Sequence, residues 1–224
     1  MTEPAPPASI ERGFYLIAHR AGNNLHQIDE AVAAGVDAIE CDFWHDHGRL
    51  TLRHERKLPA LPVLYDRWHV RWSWGELSLP QMLRELNLRA ELFLDIKSST
   101  PEAAASVLAL RADLGSKMPR TLVSSREWPL LDRLAAADTD MRMFYSVLRA
   151  SGVMPMLRRT ERAPAPAGTS IRHTLLSEPL VKQLHDAGLQ VYAWTVNTKH
   201  RAEELRAWGV DGIISDDYKV VVGS

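Results

Sequence analysis

The sequence predicts an α/β protein folded as a single (β/α)8 TIM barrel. Short, nearly continuously apolar runs alternate with segments in which apolar residues recur every three to four positions. The alternation repeats about eight times along 224 residues, and no block of helices stands apart from the strands. This pattern is typical of a parallel sheet covered by helices. About eight repeats in a chain of this length favour a closed barrel over an open doubly wound sheet.

The predicted strands are bounded by recognisable helical segments. Three of these segments end at a glycine just before the next strand, at Gly35, Gly188 and Gly209, which is a common stop signal for a helix. The strand-like runs are 14–20, 37–43, 49–55, 92–97, 121–126, 141–147, 174–177, 190–196 and 212–216.

Composition limits the class of protein. We expect one barrel domain over residues 14–224, preceded by a loose, proline-rich segment, 1–13, that lacks the apolar core of a signal peptide. The net charge of −1 provides no basic field for nucleic acid. The single Cys41 excludes an internal disulfide, and no apolar run is long enough to span a membrane. We therefore expect a cytoplasmic protein; its oligomeric state is left open.

Segment 56–77 is irregular, with two prolines and three tryptophans. In a barrel it is predicted to be a long loop on one face, serving as a lid or as a packing shelf. Its tryptophan-rich part, 61–74, is also a candidate for transient contact with a lipid surface.

Two acids in the second predicted strand suggest a metal site. Glu40 and Asp42 are two residues apart and therefore point the same way, while Cys41 faces the opposite side. Adjacent carboxylates repel one another unless a cation or a proton compensates them, and carboxylate ligands favour a hard ion such as Mg²⁺ or Ca²⁺. The alternative, a pair of surface acids, fits less well because the neighbouring residues are apolar.

Other charged residues also lie near predicted strand ends, which meet on one face of a barrel. Such a set suits phosphate-ester chemistry, because a cation and basic side chains complement phosphate charge while two imidazoles transfer protons. The residues concerned are His19, Arg20, Glu40, Asp42, His54, Asp95 and Lys97.

Other features carry less weight. The run 45–48, His-Asp-His-Gly, is interpreted as a turn rather than a metal site. Ser124 and Ser125 lack the glycines of a nucleophile elbow and are interpreted as hydroxyls at the barrel mouth. The nucleotide-binding patterns GxGxxG and the P-loop do not occur.

Six motifs, spread over nearly the whole barrel and in family order, resemble the glycerophosphodiester phosphodiesterase family of lipid metabolism. They are IAHRAG (17–22), GVDAIECDF (35–43), LTLRHERKL (50–58), LFLDIK (92–97), VYAWTVN (191–197) and GVDGIISD (209–216). The resemblance implies a barrel that binds Mg²⁺ or Ca²⁺. By position, it also implies the following site residues: catalytic His19 and His54; metal ligands Glu40, Asp42 and Asp95; phosphate-binding Arg20 and Lys97; and Trp194 in the substrate pocket.

Some positions depart from the family pattern. Only Asn23-Asn24 remains of the usual loop after the first histidine, and Asp95 stands where glutamate is usual. Both features look like the related sphingomyelinase D (phospholipase D toxin) branch. The disulfides and the C-terminal motif of that branch are absent from this sequence. The departures affect the expected substrate more than the expected chemistry.

The predicted function is metal-dependent cleavage of glycerophosphodiesters to glycerol phosphate and an alcohol, with the two histidines as acid and base. Which histidine plays which role is left open. One alternative is a sphingomyelinase D-like enzyme that acts on lysophospholipids and forms a cyclic phosphate. Two further alternatives are a non-catalytic binding barrel and a metal-dependent lyase or isomerase.

Overall fold

The structure is a computed structural model that describes residues 13–222 except 59, 60, 62, 67, 68, 73, 74 and 139. The predicted loose segment 1–13 therefore lies, apart from Gly13, outside the described residues. Cytoplasmic location and domain bounds stay predictions.

Eight parallel strands close into a barrel, which confirms the predicted fold class. Each strand pairs with its neighbours in chain order, and the first barrel strand closes the ring by pairing with both the second and the last. The barrel strands are β1 (Tyr15–Ala18), β2 (Ala38–Asp46), β8 (Glu91–Ile96), β9 (Thr121–Ser125), β10 (Arg142–Val147), β11 (Gly168–Arg172), β12 (Gln190–Trp194) and β13 (Gly212–Ser215).

The helices cover the outside of this barrel. They are α1 (Leu25–Ala33), α2 (Leu79–Leu86), α3 (Pro101–Leu114), α4 (Trp128–Ala137), α5 (Val153–Thr160), α6 (Glu178–Asp186), α7 (Lys199–Ala207) and α8 (Tyr218–Val222). Within the described ranges, none of them has both the length and the apolar character needed to cross a bilayer.

The segment after β2 contains short antiparallel strands. Two are attached to the edge of the barrel: β3 (Arg49–Leu52) forms a hairpin with β2, and β7 (Leu77–Ser78) pairs with β3. The others form a separate small sheet: β4 (Arg56–Lys57), β5 (Val63–Asp66) and β6 (His69–Trp72). The prediction of a strand over 49–55 was thus wrong in extent, and that of a loop over 56–77 missed this sheet. These strands have only two to four residues, which is too short for the alternation on which strand prediction depends to be recognised.

Side chains alternate between two cores along the barrel strands. A small interior core includes Ile17, Phe93, Phe144, Tyr192 and Ile214. The opposite strand faces pack against the helices in the main core. Because strand periodicity is two, the inward positions beyond the interior core carry side chains to the carboxyl-terminal mouth of the barrel.

The predicted strand 174–177 was wrong, because the sixth barrel strand is β11 and residues His173–Leu175 form a short 3-10 turn. β11 offers little hydrophobic signal, since its inward positions are the small residues Gly168 and Ser170. The Phe144 ring fills the space beside Gly168: a Cβ there would lie 2.4 Å from the ring and 2.5 Å from the Gln190 carbonyl oxygen.

We therefore expect Gly168→Ala to lower the free energy of unfolding by about 1–3 kcal/mol through overpacking, measured by urea denaturation. Ala109→Ser, which adds one atom at an exposed position of α3, is the matched control and is expected to change it by less than about 0.5 kcal/mol. Equal stabilities of the Gly168→Ala variant and the wild type would contradict the close packing described here.

Candidate active site at the carboxyl-terminal mouth of the barrel

Three carboxylates converge at the mouth of the barrel. Glu40 and Asp42 lie on β2, and strand register pairs Asp42 directly with Asp95 of β8. One oxygen from each of the three carboxylates lies within 4.8 Å of the other two. Glu40 and Asp42 are buried, and Cys41 between them faces the outer core, as predicted. The cluster is thus built by strand geometry.

Two basic residues partly compensate these charges. Lys97 Nζ lies 2.8 Å from Asp42 Oδ1 and also contacts Asp95, while Arg20 Nε lies 3.6 Å from Asp42 Oδ2. Burial and the Asp42 charge raise the pKa of Glu40 to about 8. Burial alone would raise the pKa of Asp42, but Lys97 holds it below its usual value. Three carboxylates converge here, and Lys97 and Arg20 compensate them only partly, so this oxygen donor set fits a divalent cation.

Asn23, which sequence reasoning treated only as a remnant of a loop, orients one of the acids. Its side-chain Nδ2 donates to Asp42 Oδ2 at 2.8 Å, and the backbone N–H of Asp42 donates to Asn23 Oδ1 at 2.9 Å. The 3-10 turn Ala21–Asn23 can come this close because residue 22 is a glycine, at which a Cβ would lie 2.7 Å from the Cys41 Cβ. In the sequence, the glycine–asparagine pair directly after IAHRA was the feature from which this role of Asn23 could have been predicted.

His19, just after β1, is anchored by a carboxylate from the other end of the chain. Its Nδ1 lies 2.6 Å from Asp216 Oδ1, and Asn197 Nδ2 donates to the other oxygen of Asp216 at 2.9 Å. The His19 contact lowers the pKa of Asp216 to about 2. Burial lowers the pKa of His19, but Asp216 and Glu40 together outweigh burial and leave it above the ordinary histidine value. Nε2 remains as the ring nitrogen available for chemistry.

His54 follows the hairpin strand β3 rather than a barrel strand, yet it reaches the same mouth. Its Nδ1 lies 3.0 Å from Asp66 Oδ2, on β5 of the small sheet. Burial, together with Arg20 and Lys97, lowers the pKa of His54 despite the nearby charges of Asp42 and Asp66. The two histidines therefore have the same anchoring geometry but opposite pKa shifts.

A cavity of about 570 Å³ joins these groups. The structure brings most of the residues singled out in the sequence to this cavity or its rim, and Tyr65 and Asp66 of the small sheet also line it. The singled-out residues on its wall are His19, Arg20, Glu40, His54, Asp95, Lys97 and Trp194.

The turn predicted in the run 45–48 and the two serines Ser124 and Ser125 have structural roles. His47 and Gly48 form the two-residue turn of the β2–β3 hairpin, both with positive φ, as the turn interpretation predicted. Ser125 Oγ donates to the Ile96 carbonyl oxygen at 2.8 Å and accepts from the Glu127 N–H at 3.0 Å, and Ser124 is buried.

Comparison with known proteins identifies the family. The model of the glycerophosphoryl diester phosphodiesterase family matches residues 80–220. YhdW of Bacillus subtilis (strain 168), provisionally named a glycerophosphodiester phosphodiesterase, is 43% identical over an alignment 239 positions long, which covers 91% of this chain and 94% of YhdW. The chain belongs to the glycerophosphoryl diester phosphodiesterase family. It is therefore an enzyme of the phosphoric diester hydrolase class.

Solved structures share the barrel fold. An Oleispira antarctica phosphodiesterase, solved with the product sn-glycerol-3-phosphate, superposes with a TM-score of 0.76 at 18% identity, covering 96% of this chain and 98% of that one. A Thermotoga maritima glycerophosphodiester phosphodiesterase gives a TM-score of 0.74 at 18% identity, covering 94% and 97%. At these identities the likeness concerns the fold.

We expect Asp216→Asn to lower the pKa of His19, because burial then acts with less opposition; NMR titration of the labelled histidines measures this shift. Protonated His19 adds stability below the unfolded-state pKa, and this stability is lost as pH rises through the folded-state pKa. The variant should therefore lose more stability at about pH 5 than at about pH 9.

Asp217→Asn, at the adjacent exposed carboxylate, is the control and should leave the His19 titration unchanged. An unchanged His19 pKa in Asp216→Asn would refute the proposed anchoring.

Proposed function

We propose that this enzyme hydrolyses glycerophosphodiesters to glycerol phosphate and an alcohol, using one divalent cation, Mg²⁺ or Ca²⁺, and the two histidines. One observation carries the proposal. Three convergent carboxylates and two carboxylate-anchored histidines surround the same cavity, with Arg20 and Lys97 beside them. A binding barrel without catalysis would gain nothing from so costly a cluster of buried charge.

Glu40, Asp42 and Asp95 would hold the cation. When bound, it neutralises charge on the non-bridging phosphate oxygens. Arg20 and Lys97 lie next to these carboxylates and can bind the same phosphate group through charge-assisted hydrogen bonds. Trp194, on the cavity wall at the end of β12, would pack against the substrate.

The opposite pKa shifts suggest a division of roles between the histidines. The lowered pKa of His54 favours its neutral form, whose Nε2 can accept the proton of the attacking hydroxyl. His19 has a raised pKa and can hold the proton that its Nε2 donates to the departing alcohol oxygen. The attacker is either water or a neighbouring hydroxyl of the substrate; the second route gives a cyclic phosphate first.

The exposed apolar side chains near the small sheet favour a second candidate function, cleavage of lysophospholipids at a lipid surface. Leu61, Val70 and Trp72 are 53%, 73% and 55% exposed. Apolar and aromatic residues exposed in this way are suited to the boundary between water and lipid.

Mass spectrometry of products from glycerophosphocholine and lysophosphatidylcholine separates the two functions. We expect glycerol phosphate from the first substrate and little turnover of the second. A cyclic lysophosphatidic acid as the main product would instead establish the lysophospholipid activity.

We expect His19→Ala and His54→Ala each to lower kcat by about 10²–10⁴-fold without unfolding the protein, because each removes one proton-transfer group. Circular dichroism and steady-state hydrolysis of glycerophosphocholine measure the two properties. His200→Ala, at an exposed position of α7, is the control and should retain full activity. A folded His19→Ala or His54→Ala enzyme with near wild-type turnover would exclude that histidine from the mechanism.

Glu40→Gln should weaken binding of Mg²⁺ or Ca²⁺ at least about tenfold in calorimetry, because a charged oxygen ligand is lost. A chelator should abolish the wild-type activity, and added cation should restore it. Asp113→Asn, on the exposed face of α3, is expected to leave affinity unchanged. Equal affinity in wild type and Glu40→Gln would rule out the proposed ligand set.

A further inference from the structure

A second cavity, of about 440 Å³, opens beside the catalytic one. It lies between the β2–β3 hairpin and the loops that follow β8 and β9. The two cavities are adjacent and share part of their walls. The shared residues are Trp44, Arg56, Tyr65, Asp95, Lys97 and Arg126.

Two arginines stand at this shared boundary with their charges uncompensated. Arg56 on β4 and Arg126 just after β9 are both exposed. Among the described residues, no carboxylate lies within ion-pair distance of either guanidinium. The N–H donors of both guanidinium groups are therefore available to a ligand.

Most other charges of the second cavity are already paired. Lys57 Nζ lies 3.2 Å from Glu76, and Arg53 forms ion pairs with Glu76 and Asp46. Glu127, exposed on the wall, is the remaining carboxylate there for which the described structure shows no ion pair. The uncompensated charge of this cavity is thus positive.

The loop after β8 adds two exposed hydroxyl residues to the wall, Ser99 and Thr100. Ser98, Ser125 and the aliphatic residue Ile96 are buried, and Trp44 and Tyr65 are the aromatic residues of the wall. Hydroxyls and guanidinium groups suit a hydrated anionic group rather than an acyl chain.

We propose that Arg56 and Arg126 bind a second anionic group, a phosphate or a carboxylate, on the alcohol part of the substrate. The inference rests on the proposed phosphodiesterase function and defines its substrate class: glycerophosphodiesters whose alcohol carries an additional negative charge. The scissile phosphate lies in the first cavity, next to Arg20 and Lys97, and the alcohol extends past the two arginines into the second. Guanidinium groups match both oxyanions in geometry and charge.

Two matched substrate pairs test this inference. Glycerophosphoinositol 4-phosphate differs from glycerophosphoinositol by one phosphate, and glycerophosphoserine differs from glycerophosphoethanolamine by one carboxylate. For wild type with saturating Mg²⁺ or Ca²⁺, we expect kcat/KM to be about fivefold or more higher for the anionic member of at least one pair, mainly through KM. The substrate pair in which the anionic member is preferred shows whether the bound group is a phosphate or a carboxylate.

Arg126→Ala and Arg56→Ala should each bring this ratio close to one, while Glu127→Gln should raise it by removing a repelling charge. Arg133→Ala, at an exposed arginine of α4 away from both cavities, is the control and should leave the ratio unchanged. A wild-type ratio near one in both pairs, or a ratio that survives both substitutions, overturns the inference while the phosphodiesterase function stands. Absence of turnover of all four compounds overturns the function, and the inference with it.

Discussion

The register between β2 and β8 is the constraint on which the site depends. Parallel pairing places Asp42 opposite Asp95, and the two-residue repeat of the strand puts Glu40 on the same face. Three carboxylates are thereby held close together where little water can screen them, an arrangement that costs folding free energy. The barrel core must offset that cost, and it does so with two hydrophobic layers, one inside the barrel and one beneath the helices.

Basic side chains and two histidines surround the three carboxylates, and each is positioned by a specific feature of the fold. Lys97 directly follows β8, two residues after Asp95, and points to the same mouth, where its charge contacts both aspartates. Arg20 has a left-handed backbone, with φ 56°, and donates its backbone N–H to Glu40. The histidines are instead anchored by aspartates of other elements, His19 by Asp216 after β13 and His54 by Asp66 of the small sheet, and the environments of the two rings differ. Those differences shift the pKa of His19 upward and that of His54 downward.

Much of this arrangement could be predicted from the sequence, because it follows from strand periodicity. The shared face of Glu40 and Asp42, the opposite orientation of Cys41 and the convergence of strand ends all depend on local spacing. The aspartate partners of the histidines could not be predicted in this way. Asp216 lies 197 residues from His19, and Asp66 belongs to a small sheet whose short strands carry little alternation. β11 was missed for a related reason: a neighbouring phenylalanine fills its inward space, so its own sequence lacks the expected apolar residues.

The central claim is that the three carboxylates form one cation site. A crystal structure of the protein soaked in Mn²⁺, with anomalous scattering recorded to locate the ion, tests it most directly. The account predicts a single strong anomalous peak within about 2.6 Å of oxygens from Glu40, Asp42 and Asp95, with the Lys97 ammonium group displaced toward the phosphate position. A peak that is absent or lies elsewhere, with Lys97 still bridging the two aspartates, would contradict it.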